Sequence, residues 1–239
     1  MKDVYGIGNA IVDVVAEVND HFLLDVSLEK GNMTLVDEAQ MATLANKLGS
    51  APKKIISGGS AANTIFAIQA LGGKTAYACK LARDLNGQHF FSDFRNSGIS
   101  IGNSSIVKEG TTAQCLVLVT PDAERTMATN LGVSADLTNS CIDEKVLSDS
   151  KTVYLEGYLA TSAKNTGVAV RAREIAKQAG AEVALTLSDS SGFIYDKNGI
   201  DLEKLHWIMN LKNNKRGRIY EYADKFGAKY HEGKRPWSI

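Results

Sequence analysis

The sequence predicts an α/β protein built on a parallel sheet. Strand-like and helical segments alternate at the spacing of right-handed βαβ units, most clearly from Lys151 to Leu187. A glycine-rich turn, Ser57-Gly58-Gly59-Ser60, feeds a mostly apolar helix and then a short apolar strand. In such sheets ligands sit beyond the carboxyl ends of the strands, so polar residues there are candidates for function.

Val4 to Val18 opens as a strand, breaks at Gly6 and Gly8, and resumes as a strand. Gly6-x-Gly8 is not a dinucleotide fingerprint, because the third small position falls on Ile11 and no helix pattern follows. Period-two alternation puts Asp13 on the face opposite Val12 and Val14. It is either a site carboxylate or a solvated one on a half-exposed strand. Gly31 to Val36 reads as a turn and short strand. Asp37 to Leu48 is an amphipathic helix, with Met41, Leu44, Ala45 and Leu48 at helical spacing and Asp37 or Thr34 at its start.

Ala62 to Leu71 is apolar enough to predict a buried helix, capped by Ser60 and ended by Gly72-Gly73. Two adjacent glycines allow close backbone approach, and a helix N-terminus offers unpaired N–H groups to an oxygen-rich ligand. Asn63 adds an amide in the first turn. The structural alternative is a plain glycine turn before a core helix. Thr75 to Cys79 reads as a buried strand, and Asn86 to Asn96 as a helix with core residues Phe90, Phe91 and Phe94. Thr112–Thr120 and Arg125–Thr129 form a hairpin around Pro121-Asp122-Ala123-Glu124. A strand from Lys151 to Leu155, a helix from Ala163 to Ala179 and a strand from Ala181 to Leu187 complete the pattern. Ser188-Asp189-Ser190 lies at that last strand's end, where Asp189 is a cap or a substitute base.

The 239 residues suffice for one large domain or two small ones, with 44% hydrophobic and 23% charged residues. No apolar run is long enough to span a bilayer, and Met1-Lys2-Asp3-Val4 leads straight into a strand, so no membrane partner or targeting segment is expected. Cys79, Cys115 and Cys141 are too scattered for a zinc site or a disulfide framework, which points to a cytoplasmic location. His21, His89, His206 and His231 lack metal-ligand spacing, so no metal is assigned to them. Basic and acidic residues number 27 each, giving no bulk attraction to nucleic acid. Residues 212–239, however, hold eight basic and three acidic residues, which sets this stretch apart. Its run of Lys212, Lys215, Arg216 and Arg218 lacks an aromatic stacking platform, so nucleic-acid binding is not expected.

Several stretches together resemble the ribokinase-like (PfkB) carbohydrate kinase family, in its adenosine kinase-like branch. They are Gly8-Asn9-Ala10-Ile11-Val12-Asp13-Val14, Gly58 to Thr64, Lys80 to Gly87, Gly110-Thr111-Thr112, Asp122 to Gly132, Tyr154 to Tyr158, and Leu185 to Asp189. They stand in the family's order across residues 3–190. Ile65 departs from it where a small residue is preferred, and Ala82 where a glycine is usual. The resemblance implies a Rossmann-like three-layer α/β/α sandwich across residues 1–206, with a β-sheet lid from about 10–18, 33–36 and 105–129. It implies that Asp13 hydrogen-bonds sugar hydroxyls, with Asn9, Gly58, Gly59 and Asn63 completing the pocket. The implied reaction moves the γ-phosphoryl group of ATP, with Mg²⁺, to a sugar or nucleoside hydroxyl. Lid strands in relatives can pair between subunits, which allows a homodimer.

The family's later Asn-x-x-Glu stretch, linked to magnesium, and its Gly-Ala-Gly-Asp loop, which carries the general base, are not found in these residues. The expectation is therefore a fold truncated on its C-terminal side, with residues 207–239 an atypical basic tail. The catalytic residue is unknown and the ATP- and Mg²⁺-binding residues are not identified. The reading is a sugar or nucleoside kinase, inactive on its own. The alternative is a non-catalytic sugar- or nucleoside-binding protein using the same pocket.

Overall fold

The computed structural model describes residues 1–51, 53–102, 105–186, 188–189 and 191–233. In chain order the elements are β1 (Lys2–Ile7), β2 (Ile11–Glu17), α1 (Asp20–Asp25), β3 (Met33–Leu35), α2 (Glu38–Leu48), β4 (Lys53–Gly58) and α3 (Ser60–Ala70). Then come β5 (Thr75–Ala78), β6 (Leu81–Ala82), α4 (Leu85–Asn96), β7 (Ser100–Ile101), β8 (Ile106–Val107), β9 (Ala113–Val119) and β10 (Arg125–Asn130). The last group is α5 (Glu144–Ser148), β11 (Ser150–Glu156), α6 (Ala163–Ala179), β12 (Glu182–Thr186), β13 (Ser188–Asp189), β14 (Gly192–Tyr195), α7 (Leu202–Met209), α8 (Tyr220–Phe226) and β15 (Lys229–Glu232).

The main sheet is parallel throughout, in the order β12-β11-β1-β5-β7. Both of its faces are covered, as a parallel sheet requires. Tyr5, Ile7, Ala76, Ala78, Val153 and Leu155 point to one face, where α6 lays Val168, Ala172 and Ile175 against them. Tyr77 and Tyr154 alternate to the other face, which α3 and α4 close with Ala61, Ile65, Phe90 and Phe94. Phe90 and Phe94 stack at 4.3 Å between ring centroids. The product is a three-layer α/β/α sandwich.

A second sheet, β3-β10-β9-β2-β4, packs Val14, Ala16, Leu116 and Leu118 on Met41, Leu44 and Leu48 of α2. Asp37 starts α2 with a capping box, its carboxylate accepting from the Gln40 N–H while the Gln40 side chain accepts from the Asp37 N–H. The sheet takes its strands from 11–17, 33–35, 113–119 and 125–130, and adds 53–58, which the lid expectation left out. Residues 106–107 instead pair with β6, outside this sheet.

Two local expectations are corrected. The N-cap of α3 is Gly59, not Ser60, and it makes no side-chain cap. A φ of +109° at Gly59 turns the chain into the helix one residue early, and a carboxylate from another element takes over the capping. Nor is α3 buried all round: Ala61, Ala62 and Ile65 are, but Phe66 and Leu71 stand exposed. The stripe facing the sheet is buried, while Phe66 stays partly exposed with its ring 6.3 Å from that of Phe94. Beyond β12, β13-β14-β15 form a separate antiparallel sheet with α7 and α8 beside it. Helix α7 runs straight through the boundary expected between 206 and 207.

Candidate functional site

The chain passes between the two large sheets at neighbouring crossings. One is Gly8-Asn9-Ala10, between β1 and β2; the other is Gly59, between β4 and α3. They lie close enough that a Cβ on Gly59 would overlap the backbone oxygen of Asn9. A Cβ on Gly8 would stand 2.6 Å from the Cβ of Ala61 and 2.8 Å from Glu156 Oε1. The glycines are thus needed for close approach of backbone to backbone.

Asn9 is buried and held on several sides. Its carbonyl accepts from the Tyr77 hydroxyl at 3.1 Å, and its N–H points at Glu156 Oε1 at 3.5 Å. The next carbonyl, that of Ala10, accepts from the Ser134 hydroxyl at 3.0 Å. With its backbone so fixed, the Asn9 Oδ1 is buried without a hydrogen-bond partner, and so is the Ser57 hydroxyl oxygen just before the glycines. Buried polar atoms are normally paired, so orphans at one crossing mark a place where a partner is missing.

Asp13 projects from β2 on the face opposite the buried Val12 and Val14. It lies against Gly58, where a Cβ would overlap Asp13 Oδ2. Burial pushes its carboxyl above the usual carboxylate range. The structure therefore brings Asn9, Asp13, Gly58 and Gly59 together. Asn63 is in the first turn of α3, its N–H bonded to the Gly59 carbonyl and its side chain exposed. The side chain of Asp189 lies outside the described residues.

Glu156, Tyr77 and Ser134 received no role from the sequence, yet they build the crossing. Glu156 ends the interior strand β11, next to the central β1, and is only 3% exposed. Its Oε2 accepts the Ala61 N–H at 3.0 Å, which caps α3 from across the fold, and its carboxylate also takes a hydrogen bond from the Ser60 side chain. Burial raises its carboxyl above the usual range, against the opposing pull of those donors. A lone carboxylate at the carboxyl end of an interior parallel strand was the available signal. Among the described residues no group of three or more His, Cys, Asp or Glu is gathered to hold a metal ion. These residues therefore do not by themselves form a magnesium site.

A parallel sandwich with a β-sheet lid, and a glycine crossing between them, defines the ribokinase-like class of α/β kinase folds. Similar solved structures bear this out. The adenosine kinase from Sinorhizobium meliloti superposes with a TM-score of 0.70 at 37% identity, covering 79% of this chain and 57% of that one. A probable sugar kinase protein from Rhizobium etli CFN 42 gives a TM-score of 0.75 at 28% identity, over 98% of this chain and 77% of that one. Residues 45–198 match the model of the pfkB family carbohydrate kinases, and the chain belongs to that family. It spans just over half of the S. meliloti enzyme. A different likeness stands beside these. The NAD(P)-specific glutamate dehydrogenase of Xylanibacter ruminicola is 53% identical over 83 residues, which are 35% of this chain and 18% of that protein.

Proposed function

We propose that this chain carries the acceptor-binding half of a sugar or nucleoside kinase, with the acceptor's hydroxyls on Asp13 and its neighbours. The observation that carries the reading is the meeting of Asp13 with bare Gly58 and Gly59 beside the unpartnered Asn9 Oδ1. A carboxylate accepts from two neighbouring hydroxyls, an amide oxygen accepts from a third, and the α3 N-terminus and Asn63 supply donors. Asp13 lies in register with Ile56 on one side and, through Cys115 and Thr129, with Leu35 on the other. Register partners share a sheet face, so exposed Leu35 and Ile56 give the Asp13 side an apolar wall. A nucleoside, with a flat base beside its sugar, suits that wall better than a free pentose.

The full reaction of the family is transfer of a phosphoryl group from ATP to a hydroxyl. No Gly-Ala-Gly-Asp base loop occurs in these 239 residues, so this polypeptide is proposed to bind its acceptor without efficient turnover. The glutamate dehydrogenase likeness covers too little of that enzyme to bring its activity here. Calorimetric titration with adenosine, other nucleosides, ribose and fructose, with and without Mg-ATP, tests the reading. Saturable binding of one of them, abolished by Asp13→Ala, is the expected result. Silence across the panel would overturn it, and turnover at an ordinary kinase rate would overturn the claim of inactivity.

A further inference from the structure

Two families are present in one chain, and the structure indicates where one gives way to the other. The kinase sheet ends at β12, whose Glu182, Val183 and Ala184 are exposed, and the following strands do not extend it. The chain turns instead into the antiparallel sheet β13-β14-β15, and the match to the pfkB model ends at residue 198. Residues 192–233 supply most of a second apolar cluster, which meets the main sheet through Leu185 of β12. Ile208, Ile219 and Tyr222 are buried, with Trp207, Phe226, Ile194 and Tyr230 around them. Asp196, whose side chain is 4% exposed, binds Lys204 Nζ at 2.7 Å and the Tyr222 hydroxyl at 2.6 Å inside the same unit.

The seam carries a cleft. A cavity of about 500 Å³ lies between the two parts, lined by Leu155, Leu159 and Val170 on one side and by Ile194, Ile200 and Leu205 on the other. It opens to solvent, so it is a cleft along which the two parts do not touch. The charge asymmetry agrees: residues 212–239 carry eight basic and three acidic side chains in a chain otherwise rich in acid.

The 83-residue likeness to a glutamate dehydrogenase is explained by the same break. Kinase likeness gives out only toward the end of the chain. Placed at the chain's end, 83 residues would reach back to about Gly157, just past β11. The overlap of the two likenesses then runs to residue 198, and its first part is α6–β12, a helix followed by a parallel strand. That unit recurs in any doubly wound sheet and is where two such sequences can be read in continuity. We propose that the chain changes family within α6–β12, kinase before it and glutamate dehydrogenase-like after it, and that residues 192–233 form a separate cooperative unit packed against the kinase sheet.

Two measurements on different footings test this, and neither depends on the acceptor reading above. Residues 1–156 and 188–239, aligned separately to the X. ruminicola dehydrogenase and the S. meliloti kinase, should each match one and not the other. Alignment of 188–239 to the kinase as well as to the dehydrogenase would overturn the proposal. In hydrogen-exchange mass spectrometry of the full chain in graded urea, Tyr222→Ala should strip protection from peptides in 192–233 at lower urea. Peptides from 1–156 should keep their wild-type midpoint. Joint loss of protection in both regions, or a variant that does not fold at all, would overturn it.

Discussion

Two adjacent alanine substitutions should separate the architecture of the crossing from its use. Gly59 adopts φ +109° and ψ 140°, a region that side chains rarely enter, at about 1–3 kcal/mol of strain. In Gly59→Ala the new methyl would also overlap the Asn9 carbonyl, a backbone atom held by Tyr77. Moving it adds about 1–3 kcal/mol, as overpacking does. The sum, about 2–6 kcal/mol, lowers Tm by about 5–20 °C for a chain of this size. Gly58 has no left-handed φ, and its methyl would meet only the tip of the Asp13 side chain, which can rotate aside. Gly58→Ala should therefore hold Tm within a few degrees while turning the carboxylate out of place. Hydrogen bonds to a charged group contribute about 1.5–3 kcal/mol, so acceptor affinity should fall about ten- to a hundred-fold. Thermal unfolding by circular dichroism and calorimetric titration read the two effects. Wild-type affinity in Gly58→Ala, or wild-type Tm in Gly59→Ala, would refute the reasoning.

Three further outcomes follow from the same geometry. Asp13, raised above its unfolded value by burial, is easier to ionise in the unfolded chain. Wild type should lose stability relative to Asp13→Asn as pH climbs from below about 3.9 through the raised native value, and no further above it. Acceptor affinity should rise over that window, and a pH-independent affinity would contradict the role given to the carboxylate. Glu156 is raised in the same direction, so stability of wild type minus that of Glu156→Gln should also decline with rising pH. A difference that grows with pH in urea titrations would show that its donors outweigh desolvation. Phe90→Ala, at a fully buried ring stacked on Phe94, should destabilise by about 3–5 kcal/mol, and a loss below 1 kcal/mol in urea would argue against a packed α4 layer.

What the sequence disclosed and what it hid divide along the range of the interactions. Alternation in Val4–Ile7, Thr75–Cys79 and Lys151–Leu155 was readable because each side chain's face is set by its own strand, and both faces are filled. The Asp37 start of α2 was readable because its capping box closes within four residues. The capping of α3 was not, since its acceptor, Glu156, lies 95 residues away from Ala61. Strand β4 was also hidden. Lys53-Lys54-Ile55-Ile56 has no alternation, is exposed, and becomes a strand by antiparallel pairing with β2. Of the candidate site, the sequence named the residues proposed to meet the acceptor. Those that fix the backbone beneath them, Tyr77, Ser134 and Glu156, needed the tertiary contacts.

That division bears on how the site would work. Asp13 belongs to the lid sheet, while Asn63 and Glu156 belong to the sandwich. Asn9-Ala10 and Gly59 are two of the segments that join the parts, and the Asn9 and Ala10 carbonyls are clamped by Tyr77 and Ser134. At these two segments, rotation of the lid would be taken up beyond the clamps, at Ile11 and at Gly59, and it would change the separation of Asp13 from Asn63. An acceptor held by both side chains is compatible with only part of that range, so its binding free energy biases the lid by the difference in affinity between positions. The orphaned Asn9 oxygen and the destabilised Asp13 carboxylate fit this account, since each is unfavourable in the free protein and relieved by a hydroxyl donor.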